Sequence, residues 1–178
     1  MSQKGYLEKV LKRFSIENSK PVSIPLAGHF ILSMTQCPQS KVERKEMNFV
    51  PYANAIRSLM YAMVCSRPDI AHSVSVLSRF MANPGRKHWN GVKWLLRYVR
   101  GSLGVGLKFG SSKEGVGITS YVDSNYARGL DKRRLTTSYI FILFGGLVSC
   151  KSQLQSIVAL STTEVEYIAT SEAMKEAL

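Results

Sequence analysis

The sequence predicts an α+β chain in two parts, a helical region over residues 1–104 followed by a smaller sheet with one packed helix over residues 105–178. Three observations predict it. Apolar residues recur at helical spacing up to Gly101; short β-prone runs punctuated by Gly and Ser follow; a capped helical stretch closes the chain.

The first element, "KGYLEKVLKRF", sets Leu7, Val10, Leu11 and Phe14 at helical spacing and its lysines elsewhere. "SKPVSIPLAG" must run extended, because Pro21 and Pro25 each restrict themselves and the residue before. Residues 33–48 are polar and read as a surface loop or weak helix. "YANAIRSLMYAMVC" reads as a largely buried helix. "RPDIAHSVSVLSRFMANP" reads as a second, with Pro68 and Asp69 suited to its first turn and Pro84 past its end. "GRKHWNGVKWLLRYVRG" is a third, stopped by Gly101. Then "VGLKFG", "GVGITSYVD", "SYIFILFGG" and "LVSCK" read as antiparallel strands. The glycines of "GSLGVG" and "EGVGI" are turn glycines, since no strand–turn–helix unit surrounds them. In the closing helix, "STTE" matches a capping box with Ser161 as N-cap and Glu164 reaching back.

Composition narrows the function classes. Lys+Arg number 24 against 12 Asp+Glu, a net charge of +12 that favours a polyanionic partner, nucleic acid before membrane. No stretch approaches the roughly 20 apolar residues that span a bilayer. Cys37, Cys65 and Cys150 are few and widely spaced, which fits a reducing compartment without a disulfide or zinc framework. The N-terminus lacks the apolar segment of a signal peptide, so an intracellular, cytoplasmic or nuclear protein is expected.

The charge has a pattern. At about 100° per residue, Arg86, Lys93, Arg97 and Arg100 fall within roughly 60° of one another, beside the apolar arc of Trp89, Val92, Leu95, Leu96 and Val99. A solvated cationic face is an equally simple reading of one such helix. A row of cations that tracks phosphates is the other, and the net charge favours it.

The carboxylates are sparse. Asp123 closes a strand-like run and is followed by "SNYA", a position suited to holding a metal ion at a sheet edge or to capping a turn. Glu166 heads a stripe of small residues, Ala169, Thr170, Ala173 and Ala177, that lets a helix approach a sheet closely. Glu172 and Glu176 lie about 240–280° round from Glu166 and read as surface charges. Asp123 with Glu166 is therefore the candidate metal pair.

These residues carry a resemblance. "YVDSNYARGLDKRR", "TTSYIF" and "ALSTTEVEYIATSEAMKEAL" resemble the first half of the ribonuclease H domain of copia-type long-terminal-repeat retrotransposons, in the tobacco-type plant branch. "SLMYAMVCSRPDIAHSV" and "HWNGVKWLLRYVRG" resemble the helical thumb and connection that follow the reverse transcriptase palm in the same Pol polyprotein. The resemblance implies a fragment of a Pol polyprotein whose parent copies RNA into DNA and cleaves the RNA of RNA–DNA hybrids. Residues 1–104 would then be thumb/connection-like and 105–178 a partial ribonuclease H-like domain. It implies two Mg²⁺ ions about 4 Å apart in the intact parent, held by four carboxylates. Asp123 matches the first and Glu166 the second; the third and fourth fall on elements beyond Leu178. No Asp-Asp dipeptide of a polymerase site is present, Asn125 stands where the family usually has a second aspartate, and Arg128 and Ser138 replace customary glycines. The expectation is weak or absent Mg²⁺ binding, no polymerase activity, feeble cleavage at most, and RNA–DNA hybrid and the remaining Pol polyprotein as partners. A non-catalytic nucleic-acid-binding remnant, or a non-functional relic, is the alternative.

Overall fold

Helical spacing in the first hundred residues becomes five helices in the computed structural model: α1 (Lys4–Arg13), α2 (Lys41–Asn48), α3 (Tyr52–Cys65), α4 (Ala71–Ser78) and α5 (Arg86–Gly101). The residues described are 1–110, 117–125, 135–155, 157–159 and 161–177. They divide into two units, Met1–Gly106 and Leu107–Leu178.

In the first unit the apolar stripes meet in one core. Leu7 and Leu11 of α1, Ile56 and Leu59 of α3, and Leu95 and Leu96 of α5 are all at most 2% exposed. Each fully buried leucine or isoleucine contributes about 1.5–3 kcal/mol relative to exposure. Tyr52 is buried with them and its hydroxyl donates to the Leu77 carbonyl at 2.8 Å, so its polar tip is satisfied.

One reading of this half is made definite by the structure and a second is corrected. The polar stretch 33–48 contains α2, started by a complete capping box: Ser40 Oγ accepts from the Glu43 N–H at 3.1 Å, and Glu43 Oε2 accepts from the Ser40 N–H at 3.4 Å. The run "RPDIAHSVSVLSRFMANP" is not one helix. A 3-10 turn at Pro68–Ile70 precedes α4, which ends at Ser78 and continues as hydrogen-bonded turns to Asn83.

At that 3-10 turn lies a buried polar network. Arg67 is fully buried; its Nε and Nη2 donate to the two Asp69 carboxylate oxygens at 2.9 and 2.7 Å. Nη1 and Nη2 also donate to the Ser102 carbonyl and hydroxyl at 3.1 and 2.6 Å, and the Tyr98 hydroxyl donates to Asp69 at 2.9 Å. Residues at the end of α3 and the end of α5 are thereby joined through one guanidinium. His88 does similar work at the start of α5: its Nδ1 accepts from the Gly85 N–H at 2.9 Å and its Nε2 donates to the Ser33 carbonyl at 3.2 Å.

In the second unit, β1 (Ile118–Asn125), β2 (Thr136–Leu143) and β3 (Gly146–Leu154) form an antiparallel sheet in sequence order. β2 and β3 are joined by a two-residue turn in which Phe144 and Gly145 both have positive φ, +50° and +72°, the geometry that matches hairpin twist. The run "VGLKFG", expected as a strand, is not one: it leaves α5 in a turn, with the Val105 N–H donating to the Ser102 carbonyl, and has no ladder partner among the described residues. Thr137, Tyr139 and Phe141 alternate as the buried face of β2.

The closing helix, α6 (Thr162–Ala177), packs on β1 and β2 and buries Val165, Ala169 and Ala173 at every fourth position. Two alanines in that row allow close approach. Ser161 Oγ accepts from the Glu164 N–H at 3.1 Å, so the expected N-cap is present.

Candidate metal and nucleic-acid sites

Register decides where a strand's carboxylate points. Asp123 is paired with Ser138, while its neighbours Val122 and Ser124 stand opposite Tyr139 and Thr137. Directly opposed residues share a face. Val122 and Ser124 therefore lie on the side that α6 covers, and Asp123 lies in the alternate row with Tyr121, exposed, on a strand at the edge of the described sheet.

Glu166 follows the buried Val165 and is exposed. The buried face of α6 is centred on Val165, Ala169 and Ala173, about 60° round from Glu166, which flanks the helix–sheet interface. Its backbone carbonyl accepts from Thr170 Oγ1 at 2.9 Å. The two carboxylates thus stand on packed neighbours, β1 and α6. Both are hard oxygen donors, the kind that suits Mg²⁺. Among the described residues no three His, Cys, Asp or Glu side chains come together to hold an ion. Asp131 and Arg128 lie outside the described residues.

Glu172 and Glu176 are not plain surface charges. Glu172 Oε2 accepts from Gln153 Nε2 at 2.6 Å. Glu176 Oε2 accepts from the buried Tyr139 hydroxyl at 3.0 Å and lies 4.0 Å from Lys151 Nζ. Their offset from Glu166 turns them towards β2 and β3, where they tie the last turns of α6 to the sheet. The helical wheel gave that direction; what stood there came only from the fold. Burial, then the Glu176 hydrogen bond, pushes the Tyr139 hydroxyl up to about 12.

The cationic row on α5 divides into two pairs. Arg97 Nε donates to the Lys20 carbonyl at 2.6 Å, and its guanidinium lies 5.3 Å from the Trp94 ring centre. Arg100 Nε donates to the Glu17 carbonyl at 2.5 Å, and its Nη1 to the Ser19 carbonyl. Trp94 Nε1 donates to the Ile24 carbonyl at 3.0 Å. The proline-bearing stretch 17–24 has no strand partner among the described residues, so these side chains satisfy carbonyls that a sheet would otherwise satisfy. Arg86 and Lys93 differ: Arg86 is 81% exposed with its Nη2 3.6 Å from Glu46, and both side chains line a groove of about 370 Å³ beside Trp89.

Among the described residues no helix is long and apolar enough to cross a membrane. No family model matches the chain, and no solved structure matches it. Curated proteins do. The chain is 53% identical over 176 residues, 99% of its length, to the retrovirus-related Pol polyprotein from transposon TNT 1-94 of Nicotiana tabacum, of which it spans 13%. It is 44% identical over 135 residues, 74% of its length, to secreted RxLR effector protein 161 of Plasmopara viticola, of which it spans 92%. It is 31% identical over 172 residues to the retrovirus-related Pol polyprotein from transposon RE2 of Arabidopsis thaliana, of which it spans 11%. The chain is thus similar to short segments of retrovirus-related Pol polyproteins from transposons and to nearly the whole of one short protein.

Proposed function

We propose that these 178 residues are the part of a copia-type Pol polyprotein that runs from the end of the reverse transcriptase into the ribonuclease H domain, and that they bind nucleic acid without cleaving it. The observation that carries this is the 53% identity to the tobacco polyprotein over 99% of the chain. The charge of +12 supports a polyanionic partner, an RNA–DNA hybrid or other nucleic acid, held largely through phosphates and so with little regard to sequence.

In this reading Asp123 and Glu166 are the metal-side carboxylates. Asp123 lies on β1 in the row away from α6 and Glu166 is an exposed residue of α6 beside the helix–sheet interface; these two carboxylates would hold the ion. Bound Mg²⁺ would supply charge to polarise a phosphoryl oxygen and lower the pKa of a water. Two carboxylates suit it in kind but are too few for a two-ion clamp, so binding is weak. A chain of this extent acting alone as a nucleic-acid binder is the second reading, favoured by the match over 92% of a short protein. The DNA flanking this reading frame separates the two: further Pol sequence in frame supports the first, stop codons the second.

The binding claim is tested by titrating a labelled RNA–DNA hybrid with the chain at several salt concentrations. Affinity is expected to fall steeply with salt, by about 0.9 in the log–log slope per phosphate contacted on duplex DNA and comparably here. Two hybrids of unrelated sequence should bind alike. Failure to bind either at low salt would contradict the proposal.

A further inference from the structure

The α2 helix is fixed at its start by the Ser40–Glu43 box and joined to α5 through Glu46 and Arg86, 3.6 Å apart. Between the two helices lies the groove of about 370 Å³. Met47, Val50 and Trp89 give it an apolar wall; Arg86, Asn90 and Lys93 give it a polar, cationic one. Trp89 is held in place from behind by edge and tilted contacts to Phe14 and Tyr52, each with ring centres 6.4 Å apart. Next in sequence to the lining residue Val50, Phe49 is the C-cap of α2 and is 89% exposed.

A rigid aromatic wall, an exposed second aromatic and two cations that no backbone carbonyl among the described residues has claimed make up the chemistry of a stacking platform with phosphate contacts at its side. Arg97 and Arg100 cannot offer the same, since they already hold residues 17–24. A duplex keeps its base faces stacked inside, so such a groove selects an unpaired strand. We infer that the α2–α5 groove receives one base of a single-stranded nucleic acid, with Phe49 and the apolar wall on the base and Arg86 and Lys93 on the flanking phosphates. This rests on the nucleic-acid reading above and narrows it to one surface. Glu46 is then a competitor: a phosphate reaching Arg86 displaces it.

The probes are a labelled 15-nucleotide thymidine strand and a blunt duplex of equal length, followed by fluorescence anisotropy across salt. Phe49→Ala is expected to weaken binding of the single strand about tenfold and leave duplex binding unchanged. Arg86→Gln with Lys93→Gln should flatten the single-strand salt slope by about 1.4, two contacts at about 0.7 each. Glu46→Gln should strengthen single-strand binding, an opposite sign that misfolding does not produce. If Phe49→Ala weakens strand and duplex equally, or both cation substitutions leave the slope unchanged while the parent chain binds, the groove assignment is overturned and the broader reading stands. If the parent chain binds neither the strand nor the hybrid, the broader reading falls with it.

Discussion

Replacing Asp69 by alanine is expected to destabilise the helical unit by about 3–5 kcal/mol, the largest single effect on that unit. Arg67 is fully buried, and Asp69 is its only paired carboxylate among the described residues. Removing it leaves a guanidinium charge inside the protein with only the Ser102 carbonyl and hydroxyl as acceptors. Tyr98 also loses the acceptor for its hydroxyl. Small domains are stable by about 5–15 kcal/mol, so a loss of this size takes from about a fifth to all of the total. Asp69→Asn, which keeps the shape and removes the charge, should fall between parent and alanine. Replacing both members, Arg67→Met with Asp69→Leu, should recover much of the loss, because no buried charge is then left unpaired.

The same network fixes a pH dependence. Burial alone would raise the Asp69 carboxyl, but hydrogen bonds from Arg67 and Tyr98 and the Arg67 charge outweigh it and hold the group below the usual carboxylate range. A depressed carboxyl contributes stability that is present above its unfolded value, about 3.9, and is lost as pH falls through the lower folded value. Thermal unfolding followed by circular dichroism from neutral to acid pH should therefore show the parent losing this contribution only on the acid side, with a shallower acid decline for Asp69→Ala.

Tyr139→Ala is expected to unfold the second unit, at a cost of about 3–5 kcal/mol. Its buried residues fall into small clusters, one built on Leu135 and Val165 and another on Tyr139, Phe141 and Ala173, so a single large side chain carries much of the packing. Tyr139 is 2% exposed, lies 5.6 Å from Phe141 ring to ring, and ties α6 to the sheet through Glu176. Tyr139→Phe keeps the ring and removes only that bond, a loss of about 1 kcal/mol. Because the folded hydroxyl is pushed up to about 12, this contribution is complete below the unfolded value near 10 and is lost as pH rises from there through about 12. Alkaline unfolding followed by tyrosinate absorbance should show this loss in the parent and its absence in Tyr139→Phe.

Local periodicity made α1, α3 and α5 legible, and alternation in "SYIFIL" made β2 legible. α2 was legible too, through the Ser40–Glu43 spacing, but its polar composition masked the signal. Long-range partners were not legible. The helical wheel showed that Arg97 and Arg100 share a side of α5, yet their partners are carbonyls 77 to 83 residues away in sequence. Likewise the row of Asp123 follows from its pairing with Ser138 on the antiparallel neighbour β2, which no property of the run "GITSYVD" specifies. Glu172 and Glu176 found Gln153 and Tyr139 for the same reason. Sequence spacing gives a side chain's direction on its own element; the fold gives what it meets.

The most direct test of the proposed function is an RNA–DNA hybrid, labelled on the RNA strand, incubated with these 178 residues and Mg²⁺ at a salt concentration where binding is saturated. The expected result is a bound hybrid with its RNA intact, because under the proposed function Asp123 and Glu166 would supply two carboxylates, too few for a two-ion clamp. Cleavage at a turnover on the order of 1 s⁻¹ or above, abolished by Asp123→Asn, would contradict it and make this chain an enzyme in its own right.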